Sequence, residues 1–172
     1  MTISKTPKES FTIMNELVLP NDTNALGNMF GGRLLQWMDV VAAICAQKHS
    51  NSNVVTASVD GVSFKEAIHL GNVVTLEAYV SRAFSSSMEI YIKVYAHNIP
   101  RGEKYLCNDA YYTFVAIDSR SKAVSVPATI PETEEEINKF EGALRRRQVR
   151  LVMAGKMKPE DASELKALFV VD

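Results

Sequence analysis

The chain has 172 residues, a formal net charge of −1 at pH 7, and 47% hydrophobic and 23% charged residues. This length predicts one domain with a sizeable core, and the balanced charge argues against a nucleic-acid-binding face. No apolar run approaches the ~20 residues that span a bilayer, and residues 1–10 contain no secretory signal. We therefore expect a cytoplasmic protein without membrane insertion. Cys45 and Cys107 lie in apolar stretches without a metal-ligand spacing, which predicts buried free thiols and no metal site.

The amino-terminal part of the chain predicts a strand, a polar loop and one long helix. Residues 11–18 are typical of a short strand, and the Asn- and Gly-rich stretch from Pro20 to Gly32 predicts a loop. A helix from about Gly32 to His49 is predicted because apolar residues recur with the 3.6-residue period of one helix face. That face consists of Leu34, Leu35, Met38, Val41, Ala42 and Cys45.

Four segments after the helix predict strands, at residues 53–64, 73–80, 88–95 and 104–117. The middle two alternate apolar with polar or aromatic residues, which is the period of a half-buried strand. Turn residues at 71–72, 85–87 and 101–102 predict that the last three strands form an antiparallel meander. The order β-α-β-β-β-β indicates an α+β fold in which one helix lies against an antiparallel sheet. The first and last strands would leave open edges, which dimerisation could cover.

The carboxyl-terminal part predicts a linker and a helical tail. Pro127 and Pro131 bracket the linker, a helix is predicted over residues 132–156, and a second short helix from about Pro159 to Phe169. The predicted domains are therefore residues 8–126, and residues 127–172 as linker and tail.

The segment from Asn21 to Asp39 carries the residues best suited to chemistry. Gly31 and Gly32 directly precede the helix, where backbone N–H groups have no partner within the helix and glycine permits close approach. One such donor aimed at a developing oxyanion contributes about 2.7–4 kcal/mol to a transition state. Asp39 lies on the flank of the apolar stripe, where partial desolvation favours a general base. Asn28 could orient a water molecule or a carbonyl group.

Each of these residues also has an ordinary structural interpretation. Asp39 could be a solvated helix charge or pair with a partner across an interface, and Asn28 could be a common turn residue. The helix rise of ~1.5 Å per residue puts Asp39 roughly 10 Å from the start of its own helix. Cooperation on one carbonyl carbon therefore requires Asp39 of one chain and the loop of a second chain.

The pattern GNMFGG followed by a helix containing Met38-Asp39 resembles the acyl-CoA hydrolase branch of the hotdog-fold thioesterases. The stretches TASVDGVSFKEAIHLGNVV and CNDAYYTFVAID are similar to that family as well, so the resemblance covers roughly residues 8–125. It implies a hotdog fold, with an antiparallel sheet wrapped around one central helix. It also implies hydrolysis of fatty acyl-CoA at a dimer interface, in a trimer of dimers, with coenzyme A as part of the substrate and no separate cofactor.

The resemblance implies a role for each candidate residue. Asp39 would activate water, although a covalent anhydride is an alternative, Asn28 would position water or the carbonyl, and the Gly31 and Gly32 amides would polarise the thioester. A hydroxyl near Asp39 would come from Thr56 or Ser58. The candidates for binding coenzyme A phosphates are Lys65, Arg82, Ser85, Ser86 and Ser87, whose simpler interpretation is a wet turn with ordinary surface cations.

Two other functions remain open at this stage. A hotdog dehydratase would pair a histidine with the helix carboxylate, and Phe30 at the glycine motif argues against it. A non-catalytic acyl-CoA-binding regulatory module is the second alternative. The absence of a GxSxG elbow, a P-loop and an HxxxH pattern from the sequence disfavours triad, nucleotide and zinc chemistry.

Overall fold

The computed structural model describes residues 4–167. They form two compact units, and the boundary between the units in the sequence lies between Ile130 and Pro131. The helices of the first unit are α1 (Pro7–Ser10) and α2 (Gly31–Ser50). Its strands are β1 (Ser4–Lys5), β2 (Thr12–Leu17), β3 (Asn53–Asp60), β4 (Val73–Ala83), β5 (Ser87–Asn98), β6 (Glu103–Ile117) and β7 (Ala128–Thr129). Short 3₁₀ turns cover Pro20–Asp22 and Ile99–Arg101.

The main sheet has five antiparallel strands in the order β2-β4-β5-β6-β3. The predicted meander of the last three long strands is confirmed, because β4 pairs with β5 and β5 with β6. The predicted strand over residues 53–64 ends earlier, at Asp60, where Gly61 has a positive φ of 68°. β1 and β7 form a separate parallel pair that the sequence did not predict, since two residues are too short to show a period.

One predicted sheet edge is wrong. The edges are β2 and β3, whereas the last long strand, β6, lies inside the sheet between β5 and β3. The reason is the path of the chain through α2, which carries it from one edge strand to the other. β3 then pairs along β6 from Asn53–Ile117 to Asp60–Tyr111.

Helix α2 packs on the inner face of the sheet with the face that its period predicts. Its buried side chains include Leu34, Met38, Val41, Ala42 and Cys45, all at most 2% exposed. Alternate residues of the strands meet them, because successive side chains of a strand point to opposite faces. The inward residues from β4 and β5 include Val74, Leu76, Ala78, Val80, Met88, Ile90, Ile92 and Val94. The helix ends where Asn51 adopts the left-handed conformation and donates its N–H to the Gln47 carbonyl.

The second unit contains the predicted tail helices, α3 (Glu134–Met153) and α4 (Ser163–Lys166). Thr133 and Glu136 form a capping box at the start of α3. Gln148 of α3 is buried and its side-chain oxygen accepts from the backbone N–H groups of Glu164 and Leu165, which fixes the start of α4. The predicted end of the second helix, residues 168 and 169, lies outside the described part of the chain.

Both thiols are buried and unpaired, as predicted. Burial raises the pKa of Cys45 to about 12 and that of Cys107 to about 11, so both are protonated at neutral pH. Among residues 4–167, no helix combines the length and the apolar character needed to cross a bilayer.

Candidate active site

The loop before α2 is ordered by the side chain of Asn24. Its Oδ1 accepts from the backbone N–H of Leu26 at 2.9 Å and from that of Asn28 at 3.2 Å. Gly27, between them, has a φ of 74°, which favours glycine. The Asn28 side-chain amide makes no hydrogen bond with the described residues, so it is available to a ligand.

An ion pair between a buried aspartate and a half-buried arginine fixes the loop to the helix. Asp22, 5% exposed, accepts from the Leu19 N–H at 3.0 Å and contacts the Arg33 Nε at 2.7 Å. The Phe30 N–H donates to the Asp22 carbonyl at 2.9 Å. The side chain and the backbone carbonyl of Asp22 therefore both fix the position of the chain where it enters α2.

Helix α2 begins with exposed backbone donors. Phe30 occupies the N-cap and has no acceptor in its side chain, and the first N–H with a partner is that of Arg33, which donates to the Phe30 carbonyl. Within residues 4–167, the N–H groups of Gly31 and Gly32 have no acceptor. A Cβ at Gly31 would lie 3.1 Å from the Phe64 ring, whereas Gly32 has open space around it.

Asp39 is half-buried on α2 and is held by a threonine of the next strand. The Thr56 hydroxyl donates to Asp39 Oδ1 at 2.8 Å. A β-bulge lies between Thr56 and Ser58, and such bulges change the direction in which side chains point. This contact fixes the orientation of the carboxylate and leaves Oδ2 available to another group.

Tyr112 lies beneath the same turn of α2. Its buried hydroxyl donates to the Leu35 carbonyl at 3.3 Å. Burial raises the pKa of Tyr112 to about 12, and the negative charge of Asp39 adds to the increase. Tyr112 is therefore a neutral donor below this turn and not a base.

A cavity of about 280 Å³ with a mixed polar and apolar lining opens at the start of α2. Asn28, Gly31 and Lys65 contribute to its walls together with the Phe30 and Phe64 rings. Lys65 forms an exposed ion pair with Asp109 at 2.9 Å. The structure thus brings three of the predicted site residues together around one cavity.

The remaining predicted site residues lie elsewhere in the chain. The Ser58 hydroxyl donates to Asp60 at 3.2 Å, and Arg82 lies over the Phe84 ring at 5.6 Å. Ser85 and Ser86 accept from the backbone of Val126 and Ala116, and Ser87 starts β5. The turn at Ser85–Ser87 contacts Ala116, near the end of β6. Lys65, in the cavity wall, donates its backbone N–H to the Cys107 carbonyl, near the start of β6. At 3.3 Å per residue, Cys107 and Ala116 lie roughly 30 Å apart along the strand. One chain alone does not join the two regions.

The described residues contain no group of three or more His, Cys, Asp or Glu side chains suited to a metal ion.

Comparisons with known proteins agree with this architecture. The family model of the thioesterase superfamily matches residues 26–102. An uncharacterized acyl-CoA thioester hydrolase of Bacillus subtilis is 41% identical over 143 residues, which cover 83% of both chains. The chain belongs to the acyl-CoA thioester hydrolase family. Acyl-coenzyme A thioesterase 11 of Mus musculus is also 41% identical over 145 residues, although this family member spans only 24% of that longer protein.

Solved structures show that this hydrolase-family chain has the hotdog fold. A hexameric acyl-CoA thioesterase in its apo form is 42% identical with a TM-score of 0.86, covering 88% of this chain and 97% of that one. An acyl-CoA hydrolase of Staphylococcus aureus, in complex with butyryl coenzyme A, coenzyme A and coenzyme A disulfide, is 36% identical with a TM-score of 0.82. It covers 89% of this chain and 95% of that chain. Structures of Staphylococcus aureus variants have one aspartate, threonine or asparagine replaced by alanine.

Sequence reasoning missed three residues near this site. Asn24 looked like one more loop asparagine, and only its contacts show that it orders the loop. Phe64 lay at the end of a predicted strand, with no signal that its ring packs on Gly31. Tyr112 could have been found, because the alternation in β6 places it on the inner face below α2.

Proposed function

We propose that this protein hydrolyses fatty acyl-CoA to a free fatty acid and coenzyme A. The observation that carries the proposal is the Asp39 carboxylate, half-buried on α2 and oriented by the Thr56 hydroxyl. The names of its relatives and the coenzyme A complex of a structural neighbour support the same reaction. Coenzyme A is part of the substrate, so no separate cofactor and no metal enter the scheme, and the protein acts in the cytoplasm.

In this scheme Asp39 takes a proton from a water molecule as the water oxygen attacks the thioester carbon. The N–H groups of Gly31 and Gly32 donate to the carbonyl oxygen, which carries the negative charge of the tetrahedral intermediate. When the C–S bond breaks, the leaving thiolate takes the proton back from Asp39. Attack by Asp39 itself, through an anhydride, is the alternative route with the same residues.

The site requires two chains. Gly31 and Asp39 lie eight residues apart on one helix, which is roughly 12 Å, too far for both to act on one thioester group. Asp39 and Thr56 each have an exposed apolar neighbour in the sequence, Val40 on α2 and Val55 on the edge strand β3. Two further exposed residues lie on the same elements, Ile44 and Val59, and all four are 40–45% exposed. An exposed apolar helix stripe beside an open strand edge favours pairing with a second copy.

The proposed assembly is a homodimer that forms the active site, repeated as a trimer of dimers. The hexameric state of two structural neighbours supports it. In that assembly, Arg82 with Ser85, Ser86 and Ser87 at the far turn would contact phosphates of coenzyme A bound to a different chain. Lys65, which lines the cavity and pairs with Asp109, is the weaker candidate for that role.

The spacing of the residues replaced in a relative supports one asparagine of this loop over the other. In the Staphylococcus aureus variants, the threonine follows the aspartate by the 17 residues that separate Asp39 from Thr56. The asparagine replaced in that protein precedes the aspartate by 15 residues, which is also the separation of Asn24 and Asp39. This match favours Asn24 over Asn28 as the residue that positions water or the carbonyl. The Asn24 Nδ2 makes no hydrogen bond with the described residues, so it can donate to a substrate.

The test is the Asp39→Asn variant. Replacing the carboxylate with an amide removes the base at nearly constant volume, so we expect kcat to fall by ~10²–10⁴. Free thiol release from butyryl-CoA and palmitoyl-CoA measures it. The matched control is Asp118→Asn, since Asp118 lies beyond β6 and its Oδ1 only caps a turn, a contact that an amide oxygen preserves. A wild-type rate in Asp39→Asn would exclude Asp39 from the reaction.

A further inference from the structure

The cavity at the start of α2 has the character of a site for a hydrocarbon chain. Its volume is about 280 Å³, and most of the side chains around it are apolar. These are Met29, Phe30, Leu34, Phe64, Ala67 and Ile68. Its polar lining residues are Asn28, Lys65 and Glu66.

The position of the cavity relates it to the thioester. Gly31 contributes to its wall, and in the proposed function the Gly31 amide donates to the thioester oxygen. A thioester carbon has two substituents, the acyl chain and the sulfur of the pantetheine arm. The arm contains two amide groups, each of which costs free energy when it is buried without hydrogen bonds. An alkyl chain has no such requirement, so the apolar wall suits the acyl side.

Phe64 closes this cavity on the side of the helix. Its ring packs so closely on Gly31 that a Cβ there would lie 3.1 Å from Cζ. Phe64 as a whole is nevertheless 55% exposed. A large ring that lines a cavity and is not enclosed by the core can be replaced without loss of core packing.

We propose that this cavity receives the acyl chain and that Phe64 limits the length of the chain it accepts. A cavity of about 150 Å³ accommodates the six carbons of benzene, or roughly 25 Å³ per carbon, so this one accommodates about eleven. The preferred substrates are therefore medium-chain acyl groups, and longer chains must displace the Phe64 ring. This inference rests on the proposed thioesterase function.

The experiment is a profile of kcat/KM against saturated acyl-CoA substrates from C2 to C16. For the wild-type protein we expect a rise to about C10 and a decline beyond, the count that the cavity volume allows. Phe64→Ala should raise kcat/KM for C14 and C16 at least fivefold relative to C4. Phe64→Trp should move the optimum to shorter chains.

Phe11→Ala is the matched control, because Phe11 is also a partly exposed phenylalanine, at 40%, and does not line the cavity. Profiles for both Phe64 variants that run parallel to the wild type, with unchanged melting temperatures, would overturn the assignment of Phe64. Absence of hydrolysis at every chain length would instead contradict the proposed function.

Discussion

Asn24 and Asn28 share one loop but differ in how they are used. The Oδ1 of Asn24 accepts two backbone N–H groups, and its Nδ2 remains available. Asn24→Asp keeps the acceptor and removes the donor, so the loop should stay ordered. Because one well-placed donor is worth about 10²–10³ in kcat, we expect a loss of that size in Asn24→Asp.

The measurement is kcat with butyryl-CoA for Asn24→Asp, Asn24→Ala and Asn28→Ala. We expect less than a tenfold loss in Asn28→Ala, because the proposed mechanism assigns the donor to Asn24. A large loss in Asn28→Ala with a near-wild-type Asn24→Asp would reverse the assignment.

His49 makes the stability of the protein depend on pH. It is fully buried, its Nε2 donates to the Pro127 carbonyl at 2.8 Å, and its Nδ1 is buried without a partner. Burial lowers the pKa of His49 below its ordinary value. As pH falls below about 6.5, His49 therefore becomes protonated in the unfolded chain while it stays neutral in the folded chain. The free energy of unfolding should fall as pH decreases through that value.

The free energy of unfolding from urea titrations between pH 5 and pH 7.5 tests this dependence. One unit of pKa depression corresponds to about 1.4 kcal/mol at low pH. His49→Gln should flatten the curve below pH 6.5, and His97→Gln, on the outer half-buried row of β5, is the matched control. An equal slope in His49→Gln would assign the acid sensitivity to other groups.

At the residue scale, sequence reasoning singled out Asp39 as the candidate carboxylate and proposed two hydroxyls that could lie near it. Asp39 stands out because aspartate is unusual inside a helix and adjoins an apolar stripe. Thr56 was a candidate for the hydroxyl near it, and the structure selects it over Ser58, which contacts Asp60 instead. The distinction depends on the bulge after Thr56, which no alternation pattern shows.

At the scale of the helix, the two glycines at the start of α2 should affect the stability of the fold and the activity differently. A methyl group at Gly31 would crowd the Phe64 ring, whereas one at Gly32 has nothing within 4 Å. Glycine inside a helix costs roughly 0.5–1 kcal/mol relative to alanine. We therefore expect Gly32→Ala to keep or raise the melting temperature while lowering kcat/KM, because the methyl group blocks close approach of the thioester.

Melting temperature and kcat/KM, measured together on Gly31→Ala and Gly32→Ala, check this separation. Gly31→Ala should lower both quantities, since the ring must move. Full activity in Gly32→Ala would mean that the substrate does not approach the first turn of α2.

The helices and strands themselves were largely predictable from the sequence, but only some of the strand pairings were. The alternation in β4 and β5 identified which residues face the helix, and the turn residues identified the meander. The pairing of β3 with β6 is not encoded in either period, because it depends on where a 20-residue helix delivers the chain. The predicted outer edge was wrong for that reason.

At the scale of the whole molecule, the proposed mechanism needs groups from two chains. Asp39 and the donors of Gly31 lie about two helix turns apart, and the apolar side chains beside them are exposed. The sequence predicted a dimer from open strand edges, and the exposed Val40, Ile44, Val55 and Val59 give the surface on which it would form.

Complementation between two inactive variants tests whether two chains share each site. A mixed dimer of Asn24→Ala and Asp39→Asn chains would have both substitutions in one site and neither in the other. Random exchange should therefore restore about a quarter of the wild-type sites, as two-fold symmetry requires. Different affinity tags on the two variants, with tandem purification, show that mixed dimers have formed. Each variant exchanged with tagged copies of itself controls for refolding. Proven mixed dimers without activity would place Asn24 and Asp39 of one chain in the same site, and the loop of the second chain would then have no part in the reaction.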